Sequence, residues 1–275
     1  MIELLGPALF AGGVAIGVTV AIERFGGVVG GFLGTLPSTI VPAAIGIHAQ
    51  SVDTAAFAAA MCAAPAGMWL NAAFLWLWRA VPPRLPDTGL GVRLALMSSL
   101  GLAAWALGAV ALVGGLLGLQ AAGASMVLVG CLATLAILVT GVAACWSAPP
   151  APRGSVAAGL GTLLARGGLA AAAIGGAVWL AAVGGSVAAG VASVFPAIFL
   201  TTMVSLWLVQ GEAVPAGAVG PMMLGSTSVA AYAVLAAFLL PAWGLWAGSL
   251  SAWLICALGI TLPLTLWTRS RSQKA

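Results

Sequence analysis

The chain has 275 residues, of which 63% are hydrophobic and only 5% are charged, and its mean hydropathy is +1.19. Soluble domains carry about 25% charged residues. Nine basic and five acidic side chains cannot supply the polar surface that a chain of this length needs in water, which excludes a water-soluble globular domain. The net charge of +4 needs no nucleic-acid partner, because the basic residues are scattered along the chain.

Apolar stretches long enough to cross a bilayer recur along the whole chain. A hydrocarbon core about 30 Å thick requires about 20 apolar residues per helix. The stretches are rich in Ala, Leu and Gly and lack a period of two, which predicts helices and not strands. Nine spans are predicted, at 4–22, 26–47, 54–78, 91–119, 122–146, 160–182, 187–209, 213–240 and 243–267. The predicted fold is an all-α polytopic membrane protein, one transmembrane domain over 1–275 with the lipid bilayer as its surroundings.

The charged and aromatic residues predict the orientation. With the N-terminus outside and nine spans, every basic residue falls at the cytoplasmic side, including the C-terminal ones: Arg24, Arg79, Arg84, Arg93, Arg153, Arg166, Arg269, Arg271 and Lys274. Cytoplasmic loops are enriched in Lys and Arg, and Trp favours both interfaces. Tryptophans end the spans on the inner side at Trp76, Trp78, Trp146, Trp207 and Trp267, and on the outer side at Trp179, Trp243 and Trp246. The expected location is a plasma membrane of the bacterial inner-membrane type.

An internal repeat appears when the sequence is shifted by about 159 residues. The pattern of Gly26, Val28, Gly31 and Pro37 then matches that of Gly185, Val187, Gly190 and Pro196. The predicted copies cover about 4–119 and 160–267, and the span 122–146 is an unpaired connector. A single connecting span inverts the second copy relative to the first. Inverted repeats recur in secondary transporters, and they also occur in some channels.

Prolines interrupt the second and seventh predicted spans at matching places. Pro37, Pro42 and Pro196 each remove an amide donor and free backbone carbonyls at membrane depth. Two broken helices at equivalent positions predict a binding site near the midplane. The alternative is that the prolines only kink the helices, with the nearby hydroxyls bonding back to their own carbonyls. The predicted substrate-pathway residues are Thr35, Pro37, Ser38, Thr39, Pro42, Asn71, Ser193, Pro196, Thr201, Thr202, Ser226, Thr227, Ser228 and Tyr232.

Few ionisable residues are available for gating or ion coupling, and none falls clearly in mid-span. The candidates are Glu23, Arg24, His48, Asp53 and Glu212. Intramembrane acids and histidines form proton relays in many pumps, whereas an interfacial anchor or a solvated loop is the simpler role for these positions. Because no carboxylate falls clearly in mid-span, the sequence does not distinguish among a uniporter, an exchanger and a channel.

Four sulfur-bearing side chains occupy matching places in the two halves: Met61, Cys62, Met222 and Met223. Thioether and thiolate ligands select soft ions such as Cu(I), although Met also commonly fills packing gaps. No other metal site and no cofactor is expected. A single histidine and the absence of HExxH, GxSxG and P-loop patterns argue against an enzyme.

These patterns predict a small secondary transporter or facilitator for a small neutral or anionic solute, working by alternating access between the two repeats. The alternatives are a non-transporting scaffold or accessory subunit, a lipid-handling protein, and a soft-metal transporter. A carrier needs its polar side chains to converge on one cavity, whereas a scaffold leaves them dispersed.

Overall fold

The structure, a computed structural model, describes residues 2–25, 36–146 and 159–272. All regular elements within these ranges are helical, which confirms the predicted all-α class. The helices are α1 (Ile2–Phe25), α2 (Ile40–Gln50), α3 (Thr54–Ala80), α4 (Leu90–Ala121), α5 (Met126–Trp146), α6 (Leu160–Ala182), α7 (Ser186–Ala192), α8 (Ala197–Gln210), α9 (Ala213–Trp243), α10 (Leu245–Cys256) and α11 (Leu262–Ser272). A short 3-10 turn, Pro82–Arg84, follows α3, and a π-helical segment, Ala257–Thr261, joins α10 to α11.

Seven helices in the described ranges are long and apolar enough to cross a membrane, so the chain is compatible with a multi-pass membrane protein. One of the seven, Ser186–Leu208, combines α7 with most of α8. The predicted spans 4–22 and 26–47 are represented by two shorter apolar stretches, Leu5–Gly17 and Ile40–Gln50. Residues 26–35 lie outside the described part of the chain. The count of nine spans therefore stays a prediction.

Two of the predicted continuous spans are interrupted. The span predicted at 187–209 ends as a helix at Ala192 and begins again at Ala197, around Pro196. The last predicted span, 243–267, contains the π-helical segment and continues to Ser272. A proline lacks the amide donor and clashes with the carbonyl four residues earlier, which explains the first interruption. Single-turn π segments inside α-helices are rare and widen the backbone locally.

The centre of the bundle is formed by α3 and α9, which pack against each other and against one face of α5. The most apolar window of α3 is 78% buried and that of α9 is 61% buried, whereas those of α4 and α5 are 17% and 22% buried. On the flank of the bundle α1 packs against α6. In lipid, the exposed apolar faces of α4 and α5 are the ones that contact acyl chains.

Glycines let the central helices approach closely. A Cβ on Gly130 of α5 would lie 2.9 Å from the carbonyl oxygen of Cys62 in α3, and one on Gly141 would lie 2.6 Å from the Cα of Leu224 in α9. Gly190 of α7 lies so close to Ala60 of α3 that a Cβ would overlap its carbonyl. Small residues are what membrane helices use for such seams, because lipid supplies no hydrophobic force between helices.

Replacing Gly141 or Gly190 with Ala tests these seams. Each added methyl group meets backbone atoms that cannot rotate away, so we expect the free energy of unfolding to fall by about 1–3 kcal/mol. Thermal unfolding of the detergent-solubilised protein measures the change. Gly176→Ala on α6 is the matched control, since no atom lies within 4 Å of its Cβ. Equal melting temperatures for the three variants would contradict the seams.

Candidate functional site at the helix breaks

The break between α7 and α8 leaves a backbone carbonyl that neither helix uses. Ser193, Val194, Phe195 and Pro196 separate the two helices, and Pro196 is the N-cap residue of α8. The hydroxyl of Ser193 donates to the carbonyl oxygen of Gly190 at 2.7 Å. The carbonyl of Val194 instead accepts a hydrogen bond from a side chain 123 positions earlier, Asn71. A buried carbonyl at this depth needs such a partner, because lipid offers no donor.

Asn71 fixes this break to two other helices. Its side-chain amide is 1% exposed, and its Nδ2 donates to the carbonyl of Val194 at 2.6 Å. Its Oδ1 accepts from the indole Nε1 of Trp105 on α4 at 2.7 Å. The Trp105 ring packs edge-to-face against Phe195, with 5.1 Å between centroids. The donor and acceptor ends of Asn71, a residue predicted to line a solute pathway, are thus both engaged within the protein.

A second polar cluster joins the start of α2 to α9 and α10. The indole Nε1 of Trp253 donates to the hydroxyl of Ser38 at 3.3 Å, just before α2 begins. The Tyr232 hydroxyl and the Ser249 hydroxyl lie 2.6 Å apart. Ser249 and Trp253 are four residues apart on α10, so they share one helix face. We call the five residues Ser38, Thr39, Tyr232, Ser249 and Trp253 the α2 cluster.

Two hydroxyl-bearing residues of the α2 cluster are only partly buried. Ser38 and Thr39 are half-buried, and Thr39 is the N-cap residue of α2 without a side-chain cap bond. Pro37 and Pro42, on either side of them, are buried. Tyr232 is fully buried, so its hydroxyl faces a protein interior and not lipid. The cluster therefore combines hydroxyl groups with an indole donor at the end of a short helix.

Several other predicted pathway hydroxyls bond to their own helices. Thr201 donates to the carbonyl of Ala197 at 2.8 Å, and Ser226 donates to that of Met222 at 2.9 Å. Together with Ser193, these residues follow the back-bonding pattern that Ser and Thr adopt in membrane helices. Thr202 is half-buried and Ser228 is fully buried. Thr227 is buried, and its hydroxyl has no hydrogen-bond partner among the described residues. Thr35 lies outside those residues.

Glu212 forms an ion pair that the sequence analysis did not predict. Arg93, in the first turn of α4, donates from Nε to Oε1 of Glu212 at 2.7 Å and from Nη2 to Oε2 at 2.9 Å. Arg93 also donates to the carbonyls of Pro82, Leu85 and Pro86. A bidentate pair of this kind fixes both distance and orientation. No local sequence pattern links the two residues, because they lie 119 positions apart.

Two of the other candidates for gating, Asp53 and His48, have local partners. The Asp53 carboxylate caps α3 by accepting from the amide of Ala56 at 2.7 Å. The His48 ring packs edge-to-face against Phe57, with 4.8 Å between centroids. Glu23 and Arg24 belong to α1, and their side chains lie outside what the structure describes.

Arginines mark one end of the bundle, which we call the basic end. Arg79, at the end of α3, donates to the carbonyls of Ala144 in α5 at 3.1 Å and Ala216 in α9 at 3.2 Å. The Arg93–Glu212 pair lies at this same end, beside the start of α9. These bonds tie the end of α3 and the start of α4 to the start of α9.

The sulfur-bearing residues divide between two buried clusters. Met61 and Cys62 pack in the cluster around α3, α5 and α9, whereas Met223 packs with Trp78 and Trp207, and Met222 lies against that second group. Cys62 lies against Gly130 of α5. Within the described ranges, no three His, Cys, Asp or Glu side chains are grouped as a metal site requires.

The chain matches no protein-family model, no curated protein and no solved structure. Its function is therefore inferred from the geometry of its own residues.

Replacing Asn71 tests its role at the α7–α8 break. In Asn71→Leu the Val194 carbonyl and the Trp105 indole both lose their partners, so we expect the free energy of unfolding to fall by about 1–3 kcal/mol. Thermal unfolding in detergent measures the loss. Trp105→Phe and the double variant complete a cycle, and the double variant should be less destabilised than the sum of the two single ones. Additive losses would show that the two side chains do not act together.

Proposed function

We propose that the chain is a small secondary transporter or facilitator that moves a small neutral or anionic solute across a bacterial-type plasma membrane. It has nine spans and works by alternating access between two inverted four-helix repeats joined by α5. The observation that carries this proposal is that the α7–α8 break and the start of α2 are each bonded to a side chain from the other half of the chain.

The two attached places correspond between the halves, because the offset of 159 residues matches Pro37 to Pro196. Asn71 of the first half bonds to Val194, two residues before Pro196, and Trp253 of the second half bonds to Ser38, directly after Pro37. The two donors themselves do not match under the offset, since Trp253 corresponds to the region of Arg93 and Leu94. The support for inverted repeats is therefore that each half bonds to the proline-containing place of the other, without residue-by-residue symmetry.

Helix packing supports the same arrangement. The predicted first spans of the two halves, α1 and α6, pack together, as do the predicted third spans, α3 and α9. The connector α5 contacts α3 through Gly130 and α9 through Gly141, on either side of its own centre. When a two-fold axis in the membrane plane crosses a helix at its centre, the two ends of that helix contact the two copies in the same way. The basic end, with Arg79 and Arg93, is the cytoplasmic end under the positive-inside rule.

The α2 cluster is a better candidate for a solute site than the α7–α8 break. The Asn71 amide is saturated by short bonds and is buried, whereas the Trp253–Ser38 bond is 3.3 Å long and Ser38 and Thr39 are half-buried. Hydroxyl and indole groups bind neutral or anionic solutes through hydrogen bonds. The N-terminal end of a half-helix favours negative charge. These features favour a small polar solute without a positive charge.

A scaffold or accessory subunit is the second candidate. The observation that favours it is the back-bonding of Ser193, Thr201 and Ser226, which removes three predicted pathway hydroxyls from any shared cavity. Flux measurements separate a scaffold from a carrier.

Solute flux into proteoliposomes tests the transport proposal. The panel comprises organic anions, neutral metabolites and metal ions, the last of which covers the soft-metal alternative. The double variant Ser38→Ala, Thr39→Val removes two hydroxyls from the α2 cluster, and we expect its flux to fall by about tenfold, the effect of losing roughly 1.4 kcal/mol of hydrogen bonding.

The matched control is Thr134→Ala, Thr140→Val on α5, whose hydroxyls bond only to carbonyls of their own helix. Its flux should equal that of the unaltered protein. Absence of flux for every solute, with the protein folded and inserted, would favour the scaffold.

The Arg93–Glu212 pair predicts that the basic end is closed in this conformation. It links the α3–α4 connection of the first half to the start of α9 in the second, and Glu212 follows Gly211, whose φ of +79° makes the turn. At the opposite end the matching acid, Asp53, is exposed and caps its own helix. Opening the basic end requires the ion pair to separate.

Neutralising the pair should therefore open the basic end more often. The reporter is Cys145, near the end of α5, in a background where the other three cysteines are replaced. We expect a membrane-impermeant maleimide to label it about fivefold faster in Glu212→Gln, corresponding to about 1 kcal/mol for a partly exposed pair. Glu212→Asp keeps the negative charge and leaves the Arg93 bonds to the carbonyls of Pro82, Leu85 and Pro86 in place, so it should label more slowly than Glu212→Gln. Equal rates in all three proteins would exclude a gating role.

A further inference from the structure

Near the end of the last helix, the guanidinium of Arg271 contacts two indole rings. The guanidinium carbon of Arg271 lies 3.8 Å from the ring centroid of Trp146, at the end of α5, and 5.4 Å from that of Trp267. The two indole rings lie 6.4 Å apart with an interplanar angle of 48°. Trp267 and Arg271 are one helical turn apart, so they share a face of α11. We call these three residues the Trp–Arg clamp.

Contact with the two rings restrains the guanidinium without using its N–H groups. Cation–π contacts use the faces of the planar group, whereas its N–H groups project from the edge. Among the described residues, no acceptor bonds to the N–H groups of Arg271. A guanidinium held in this way presents a fork that matches two oxygens of a phosphate.

Two lipid-facing stripes lead to the clamp. On α5 the exposed side chains Leu128, Leu132, Leu135 and Val139 recur at helical spacing and lead to Trp146, which is 67% exposed. On the last span exposed leucines recur every fourth residue from Leu250 to Leu266, directly before Trp267. Surfaces of this kind contact acyl chains. The clamp lies where both stripes end.

We infer that the Trp–Arg clamp binds the phosphate of an anionic glycerophospholipid in the leaflet at the basic end of the bundle. The acyl chains lie along the two stripes, the indoles contact the glycerol region, and Arg271 pairs with the phosphate. Arg79, near Ala144 on the same helix end, adds positive charge. A net negative headgroup is favoured over a zwitterionic one, since no acidic side chain belongs to the clamp to hold a choline or an ammonium group. The site does not depend on whether the chain transports a solute.

Lipid binding to the intact, detergent-solubilised protein tests this site. Native mass spectrometry with equal amounts of phosphatidylglycerol and phosphatidylcholine reports the affinity for each. We expect preferential binding of phosphatidylglycerol, and a loss of about fivefold in Arg271→Gln, as about 1 kcal/mol per basic residue near an anionic surface implies. Arg271→Lys keeps the charge but lacks the planar fork, so it should also lose affinity. Trp146→Leu removes the closer of the two rings and should weaken binding as well.

Arg269→Gln is the matched control, because it removes the same charge from the same helix outside the clamp. An equal loss in Arg269→Gln and Arg271→Gln would mean diffuse attraction and would overturn the site. Equal binding of the two lipids would also overturn it. Displacement of phosphatidylglycerol by millimolar inorganic phosphate would show that the clamp takes the free anion and not the lipid.

Discussion

The structure depends on one constraint of a lipid environment, which is that a backbone carbonyl released from a helix must find its donor inside the protein. Pro196 imposes that requirement by interrupting the helix between Ala192 and Ala197. Asn71 meets it with a 2.6 Å hydrogen bond to Val194, and Trp105 fixes the orientation of Asn71. The polar side chain in the central helix α3 and the break in α7–α8 therefore require each other.

The second feature is the way in which the central helices are held together. Lipid supplies no hydrophobic force between helices, so association relies on close van der Waals packing and interhelical hydrogen bonds. Gly130, Gly141 and Gly190 provide the packing, because each lies against backbone atoms of α3 or α9. Hydrogen bonds such as the one between Tyr232 and Ser249 hold particular faces of two helices against each other. The two kinds of contact place the α7–α8 break and the start of α2 next to the most buried helices.

The two ends of the bundle differ in their electrostatics. At the basic end Arg79 and Arg93 form bonds across helices, and Arg271 contacts two indole rings. At the other end Asp53 caps its own helix and faces outward. The two ends therefore differ in how far their charged side chains join separate helices.

Much of the fold was predictable because hydrophobic length and proline chemistry act locally. The apolar runs determined the helical class and most helix bounds, as in Leu160–Ala182, and Pro196 determined where a helix ends. The sequence also carried the charge asymmetry that separates the two ends. Tertiary structure alone decided what each polar side chain contacts. Whether a hydroxyl bonds to its own helix, as in Thr201, or across helices, as in Ser249, depends on what packs against that helix face. The Arg93–Glu212 pair joins residues 119 positions apart, and such a pairing depends on helix packing, which no local pattern encodes.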